Sequence, residues 1–331
     1  MSLLLEHVTA VTMDPAQPVL KDAFVAVEGT KIASVGTARP QGEFDRVIDG
    51  TGKVLMPGLV NAHTHVAMAL LRGYGGGHDL HHWLNDYIFP AEDKLDARCV
   101  AAGTALGLAE MIASGTTCIA DMYMYTDAIA KTVLEAGISA NLSCGGVYFG
   151  KPEEFDPARC EDCINEEILR DSWHGAGEGQ ILVDASIHAE YTSCPPLQVH
   201  ISETQSEHEN CWKKYGKTPV ALLDQYGVWE RGGIAAHCVW VSDQDMDIMA
   251  QKHITAVHNP VSNLKLGSGV ADIPGMLAAG LNVALGTDGV SSNNSHDMFE
   301  EIKLAAILHK GVTLDPMAVT PVQALEMATV N

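Results

Sequence analysis

Two histidines separated by one residue, His63 and His65, close an apolar run in "VLMPGLVNAHTHVAM". In a strand, residues i and i+2 project from the same face, so both imidazoles point one way and can chelate a metal. A His-x-His pair on a surface strand can equally be solvated, and the chain has 15 histidines. The pair gains meaning from what stands at the ends of other apolar runs: His188 in "ILVDASIHAE", His200 and Glu203 in "QVHISE", His237 in "GIAAHCVW", His258 in "ITAVHN" and Asp288 in "NVALGTD". A catalytic zinc takes roughly three or four nitrogen and oxygen ligands and keeps a position for water. His63, His65, His200 and Asp288 supply such a set, whereas His258 reads better as part of a loop-shaping segment, "HNPVSNLKL". "ILVDASIHAEY" contains no lysine that could bridge two metals. One divalent metal is therefore expected, zinc first, with iron or manganese as alternatives.

These side chains need elements that carry them to one place. Apolar runs of strand character fall at 54–65, 116–123, 138–148, 181–190, 198–203, 233–240, 254–259 and 282–288, with helical stretches such as 97–113 and 217–226 between them. Strands alternating with helices build a parallel sheet, and eight strands close a barrel whose chemistry sits at the C-terminal strand ends. The expected fold is α/β, a (β/α)8 TIM-type barrel over 54–331. Residues 1–53 read as short strands broken by Gly, Pro and Asp, the N-terminal part of a small β-sandwich domain formed by the chain termini. A few strands with an unpaired face make a poor sheet on their own, and the helix expected at 316–329 has no strand after it. Further C-terminal strands are therefore expected to complete that domain. Only "YTSCPPL" joins the fourth and fifth runs, yet a parallel crossover takes at least about 10 to 12 residues with its helix. A barrel helix is accordingly expected to be missing between 196 and 198.

The composition narrows the partners. Forty-two acidic against 20 basic residues give a net charge of −22, which repels phosphate backbones and anionic membrane surfaces. Nucleic acid and membrane are excluded as partners, and strongly anionic substrates are disfavoured. Residues 1–15 have no basic leader region and interrupt their apolar run with Glu6 and His7, so a cytoplasmic location is expected. Cys160-x-x-Cys163 has no second pair and reads as reduced thiols rather than a zinc site. "GYGGG" at 73–77 lacks the spacing of a dinucleotide loop and reads as an active-site loop. His78, His81 and His82 read as a solvated rim.

Taken in order, "PGLVNAHTH", "VHISET", "AAHCVW", "HNPVSNLKLGSG" and "LGTDGVSSNN" resemble the amidohydrolase superfamily, specifically the 5-methylthioadenosine/S-adenosylhomocysteine deaminases and related nucleobase and triazine hydrolases. The likeness runs from residue 1 to 331. It implies that His63, His65, His200 and Asp288 hold the metal, that Glu203 shuttles protons, and that His237 polarises an attacking hydroxide; Asp288 can take the proton that the metal-bound water loses while remaining a ligand. It also implies that Trp83 and Glu92 line the pocket and hold ribose hydroxyls, and that His188 contacts the nucleoside. On the residues alone, Trp83 could be plain packing and Glu92 a helix N-terminal acid favoured by the dipole.

The implied reaction is hydrolytic deamination of an adenosine-type nucleoside, a step of purine salvage. Metal-activated hydroxide attacks C6, Glu203 protonates N1 and then the departing amine, and ammonia leaves an inosine-type product. The chain departs from S-adenosylhomocysteine-accepting relatives in "GISANLSCGGVYFG", which has no arginine or lysine before Lys151. Neutral 5′ substituents, as in methylthioadenosine, adenosine or 5′-deoxyadenosine, are favoured over the homocysteine tail. The alternative is another aminated heterocycle, such as guanine, an oxidised purine, cytosine or a triazine. A non-catalytic metal protein would leave Glu203 and His237 without a role. Barrels of this type commonly pair, so a homodimer or higher homo-oligomer is expected.

Overall fold

The structure, a computed structural model, describes residues 1–144, 161–187 and 197–331. It divides into two compact units, Met1–Gly58 with Val330, and Leu59–Thr329 with Asn331. In the first unit, Ser2–Val11 (β1), Val19–Glu28 (β2) and Lys31–Gly36 (β3) form an antiparallel meander, and Arg46–Asp49 (β4) and Val54–Leu55 (β5) add to β1 in parallel. Alternation along β2 sends Ala23 and Val25 to one face and Phe24 and Ala26 to the other, where each pair joins its own buried cluster. Among the described residues the expected sandwich is this single five-stranded sheet. The unit ends at Gly58, not at residue 53. The run 54–65 is two strands, because Pro57 and Gly58 interrupt it and Val54–Leu55 pairs with β1.

The second unit carries Leu59–Thr64 (β6), Thr116–Met122 (β7), Ser139–Ser143 (β8), Ile181–Val183 (β9), Ala185–Ile187 (β10), Leu197–Ile201 (β11), Gly233–His237 (β12), Ile254–His258 (β13) and Val283–Leu285 (β14). All their pairings are parallel, in two arcs, β6-β7-β8-β9 and β10-β11-β12-β13-β14. Asp184 divides the fourth strand of the barrel, so that β9 pairs with β8 and β10 with β11. The last strand meets the first: Asp288 N donates to His63 O at 2.9 Å, and Asn61 and Thr287 exchange hydrogen bonds of 2.7 and 3.0 Å.

Helices return between strands as the periodicity predicts. Ala97–Ala113 (α1) matches its expected range and is capped by Asp96, whose carboxylate accepts from Cys99 N. Pro219–Gln225 (α2) and Pro321–Met327 (α5) are shorter than their expected ranges, because Thr218 and Thr320 cap them and Pro follows each cap. Between these two in the chain lie Pro260–Lys265 (α3) and Met298–Thr313 (α4). At Gly103 a Cβ would stand 2.3 Å from Ala67 O, so α1 lies directly on the backbone that follows His65. Among the described residues no helix is long and apolar enough to cross a membrane. The connection expected to lack a helix, Cys160, and the parts of the third and fourth runs beyond 144 and 187 lie outside the described residues.

Closure of the barrel rests on the lack of a side chain at one position. A Cβ on Gly286 would stand 2.8 Å from both His63 N and His63 O and from Asn259 Nδ2, and backbone on the facing strand cannot swing aside. Gly286→Ala should lower stability by about 1–3 kcal/mol, read as a fall in melting temperature. An unchanged melting temperature would contradict this closure geometry.

Candidate active site

Four strands deliver donor atoms to one buried space. His63 lies within β6, His65 immediately beyond it, His200 within β11, His237 at the end of β12 and Asp288 in the loop after β14. The nearest donor atoms of His63, His200, His237 and Asp288 all lie within 4.8 Å of one another. His65 belongs to the same group, with Nε2 at 3.2 Å from His200 Nε2 and 3.3 Å from Asp288 Oδ1. The structure thus brings together every residue of the sequence-derived ligand set and adds His237 to it.

The donor set fits a cation. His65 Nδ1 lies 2.5 Å from Met122 O; a carbonyl only accepts, so Nδ1 carries the hydrogen and Nε2 turns its lone pair inward. His63 Nε2 is buried with no hydrogen-bond partner, and Asp288 Oδ1 stands 3.5 Å from it. Burial, partly offset by Asp288, pushes His63 down to about 4, so the ring is neutral and offers a lone pair at physiological pH. Nitrogen lone pairs and a carboxylate oxygen facing one another out of water are costly, and a divalent ion between them satisfies all of them.

Around this group stand three side chains suited to proton exchange. Glu203 Oε2 lies 3.7 Å from His237 Nε2, and Ser268 Oγ donates to Glu203 Oε1 at 3.1 Å. Burial raises the Glu203 carboxyl above its ordinary range, against the opposing field of His237. Burial opposes charge on His237, but Glu203 and Asp288 outweigh it and raise the imidazole. Asp288 Oδ2 accepts from Ser262 Oγ at 2.6 Å and Ser292 Oγ at 2.9 Å. Burial would raise Asp288, yet contact with His63 and the fields of the histidines hold it well below the usual carboxylate range. The chain turns sharply to present these groups: Ser202, His237, Cys238 and Asp288 have φ of +48, +70, +49 and +60°. Non-glycine residues pay for that conformation, and here it occurs where strands end in functional side chains.

A cavity of about 1370 Å³ opens over the group, lined by His65, Glu203, His237 and Asp288 together with Trp83, Glu92 and Tyr123. Trp83 is buried and donates from Nε1 to Tyr74 O at 3.3 Å. Glu92 is buried, and burial raises its carboxyl, with Tyr123 and His65 opposing. Both sequence-derived pocket residues thus reach the same cavity as the ligand cluster, while His188 lies outside the described residues. His258 stays apart, its Nε2 at 3.3 Å from His309 Nε2. His82 pairs with Asp79 at 2.7 Å on the exposed rim.

Sequence reasoning missed the hydrogen-bonding shell. Ser262, Asn263, Ser268 and Ser292 touch Asp288, His237 or Glu203; the one trace in the sequence was the run of small polar residues in "HNPVSNLKLGSG" and "LGTDGVSSNN". It also missed Glu301 on α4, whose carboxylate accepts from Asn293 Nδ2 at 2.6 Å and Val261 N at 3.3 Å. Asn293 also donates to Thr287 O at 2.7 Å, so Glu301 ties the loops after β13 and β14 together beside Asp288.

The chain is also similar to several known proteins. The Amidohydrolase family profile matches residues 54–331. A 5-methylthioadenosine/S-adenosylhomocysteine deaminase of Thermoanaerobacter pseudethanolicus is 42% identical, over 100% of this chain and 79% of that protein. A 5′-deoxyadenosine deaminase of Methanosarcina acetivorans is also 42% identical, over 99% of this chain and 78% of that protein. Among solved structures, an adenosine deaminase from Xanthomonas campestris with bound zinc superposes with a TM-score of 0.91 at 32% identity, over 99% of this chain and 78% of that chain. A guanine deaminase of C. acetobutylicum, at 22% identity and a TM-score of 0.88 over 100% of this chain and 85% of that one, shares the fold.

Two outcomes follow from the site. His65→Ala and His200→Ala should each reduce bound divalent metal, measured by elemental analysis, from near one equivalent to a small fraction; full retention in both would contradict the ligand geometry. Burial lifts Glu301 from 4.5 to about 8, so between those values the folded state holds a proton that the unfolded chain has released. Stability contributed by this group therefore falls as pH rises through that window, and Glu301→Gln should flatten that part of the pH–melting curve. An unchanged slope would show that Glu301 is ionised throughout.

Proposed function

Because this chain belongs to the amidohydrolase family, we propose that the cavity is the active site of an adenosine-type deaminase that uses one divalent metal, zinc by this reading, to release ammonia from C6 of adenine nucleosides. The observation that carries the reading is convergence: the donors His63, His65, His200 and Asp288 meet Glu203 and His237 at one end of the barrel, inside a cavity large enough for a nucleoside. The donor set suits a divalent metal, and Glu203 and His237 supply what a merely structural ion would not need.

A metal held by these residues would acidify its bound water, bringing the pKa down towards about 7. The remaining work falls to side chains. Asp288 has Oδ2 occupied by two serine hydroxyls, which leaves Oδ1 to accept a proton from the attacking water. Glu203 has Oε1 occupied by Ser268, and burial favours its protonated form. Its Oε2 can therefore give a proton to ring N1, take up the proton of the new C6 hydroxyl and pass it to the departing amine, while the proton held by Asp288 restores Glu203 to its starting form. His237 keeps Nε2 turned to the same place to polarise the oxygen nucleophile. Trp83 gives the substrate an apolar wall, and Glu92 offers a carboxylate that can accept two ribose hydroxyls. His188 is proposed as a further nucleoside contact.

Charge around the cavity bears on the 5′ substituent. Asp79, Glu92, Asp93, Glu203, Glu207, Glu209 and Asp288 line it, and none of the described lining residues is lysine or arginine. Among the described lining residues the carboxylate of a homocysteine tail would meet no lysine or arginine, which supports methylthioadenosine, 5′-deoxyadenosine and adenosine over S-adenosylhomocysteine. A cytoplasmic place in purine salvage belongs to the same reading.

The test is the fall in purine absorbance on deamination across methylthioadenosine, 5′-deoxyadenosine, adenosine, S-adenosylhomocysteine and guanine. The neutral adenine nucleosides should exceed S-adenosylhomocysteine in kcat/KM by about tenfold, a difference of roughly 1.4 kcal/mol. Glu203→Gln should cost about 10² to 10⁴ in kcat. Exclusive turnover of guanine, or full activity of Glu203→Gln, would overturn the proposal.

A further inference from the structure

One ten-residue stretch, Asn259 to Ser268, gives a hydrogen-bond partner to each of the three proton-exchanging groups. Ser262 Oγ donates to Asp288 Oδ2 at 2.6 Å. Asn263 Oδ1 accepts from His237 Nδ1 at 2.9 Å. Ser268 Oγ donates to Glu203 Oε1 at 3.1 Å. The three targets come from three different strand ends, and all three partners are buried. Asn259 adds a fourth contact, its Oδ1 accepting from His237 N at 3.3 Å.

The stretch is itself fixed. Asn263 N donates to Asn259 O at 3.0 Å and Ser268 N to Asn263 O at 2.9 Å. Trp240 Nε1 donates to Ser268 O at 2.8 Å, and Lys265 Nζ donates to Ser291 O and Asn294 Oδ1, both at 2.8 Å. A short helix, α3, and the turn after it therefore present three polar side chains in set directions.

Each contact selects one atom of its target. With Ser262 on Oδ2, Asp288 turns Oδ1 towards His63 and His65. The amide oxygen of Asn263 can only accept, so the hydrogen stays on His237 Nδ1 and Nε2 faces the cavity. With Ser268 on Oε1, Glu203 presents Oε2 to the place where His237 Nε2 points. Orientation of this kind matters because small misplacement of a reacting group is costly to rate.

We propose that Ser262, Asn263 and Ser268 are positioning residues of this site, and that this stretch, helped at Asp288 Oδ2 by Ser292, aligns Asp288, His237 and Glu203 to one another. The inference rests on the deaminase reading above. It assigns the residues no contact with substrate; they act through their three partners.

The test uses the full chain loaded with zinc and 5′-deoxyadenosine as substrate. Ser268→Ala should lower kcat about tenfold with KM changed by less than about twofold, and Ser268→Thr, which keeps the hydroxyl, should restore most of it. In a Glu203→Gln background, Ser268→Ala should cost nothing further, since the residue it positions no longer exchanges protons. Ser262→Ala should speed zinc release to a chromogenic chelator about tenfold, while Ser268→Ala leaves release unchanged. Should Ser262→Ala fail to fold, Ser262→Gly, which also removes the hydroxyl and adds no zinc ligand, carries the same measurement. A loss from Ser268→Ala that multiplies the Glu203→Gln loss, or equal zinc release from the Ser262 and Ser268 variants, would reduce these residues to general packing and overturn the proposal. If the wild-type holoenzyme deaminates none of the adenine nucleosides, the deaminase reading fails, and the difference in zinc release still decides the part played by Ser262.

Discussion

The structure depends on gathering one set of metal-type donors at a single point. Inside the barrel, imidazole nitrogens of His63, His65 and His200 and the Asp288 carboxylate face one another out of water, and the tautomer of His65 is fixed by Met122 O so that its lone pair points inward. Such a set is unfavourable alone and favourable around a divalent cation. The same burial that makes the cluster costly keeps His63 neutral, which is the form a metal requires.

The fold bears that cost by crossing its chain many times near one point. Parallel strands bring His63, His200, His237 and Asp288 to a common end although up to 225 positions separate them in the chain. Gly286 permits the close approach of β14 to β6, and the Asn61–Thr287 pair holds the seam shut. Left-handed backbone at Ser202, His237 and Asp288 then aims the side chains inward. Glu301 and the Asn259–Ser268 stretch bind the last two loops into a single support. Rigid supports of this kind let an active site be assembled from residues remote in sequence.

Much of this was legible in the chain. His63 and His65 announce themselves because strand alternation places i and i+2 on one face, and Asp288 and His237 because polar groups close apolar runs. The range of α1 follows from an uninterrupted helical run, and the structure adds the Asp96 cap at its start. The division of 54–65 was misread because the apolar residues continue across Pro57 and Gly58, and only the pairing of Val54 and Leu55 with β1 shows that the strand has changed sheets. The roles of Ser262, Asn263 and Ser268 were hidden for another reason. Their partners lie 26 to 65 positions away, and hydrogen bonds over such separations leave no period in the sequence. Serine and asparagine in a loop look alike whether they cap a helix or steer a catalytic carboxylate.

X-ray absorption at the zinc edge of the loaded protein addresses the central claim most directly, because it reports which atoms surround the ion. A shell of nitrogen and oxygen at about 2.0–2.2 Å with imidazole multiple scattering is the predicted result. A sulfur shell near 2.3 Å, or scattering without imidazole, would place the metal elsewhere and contradict the account.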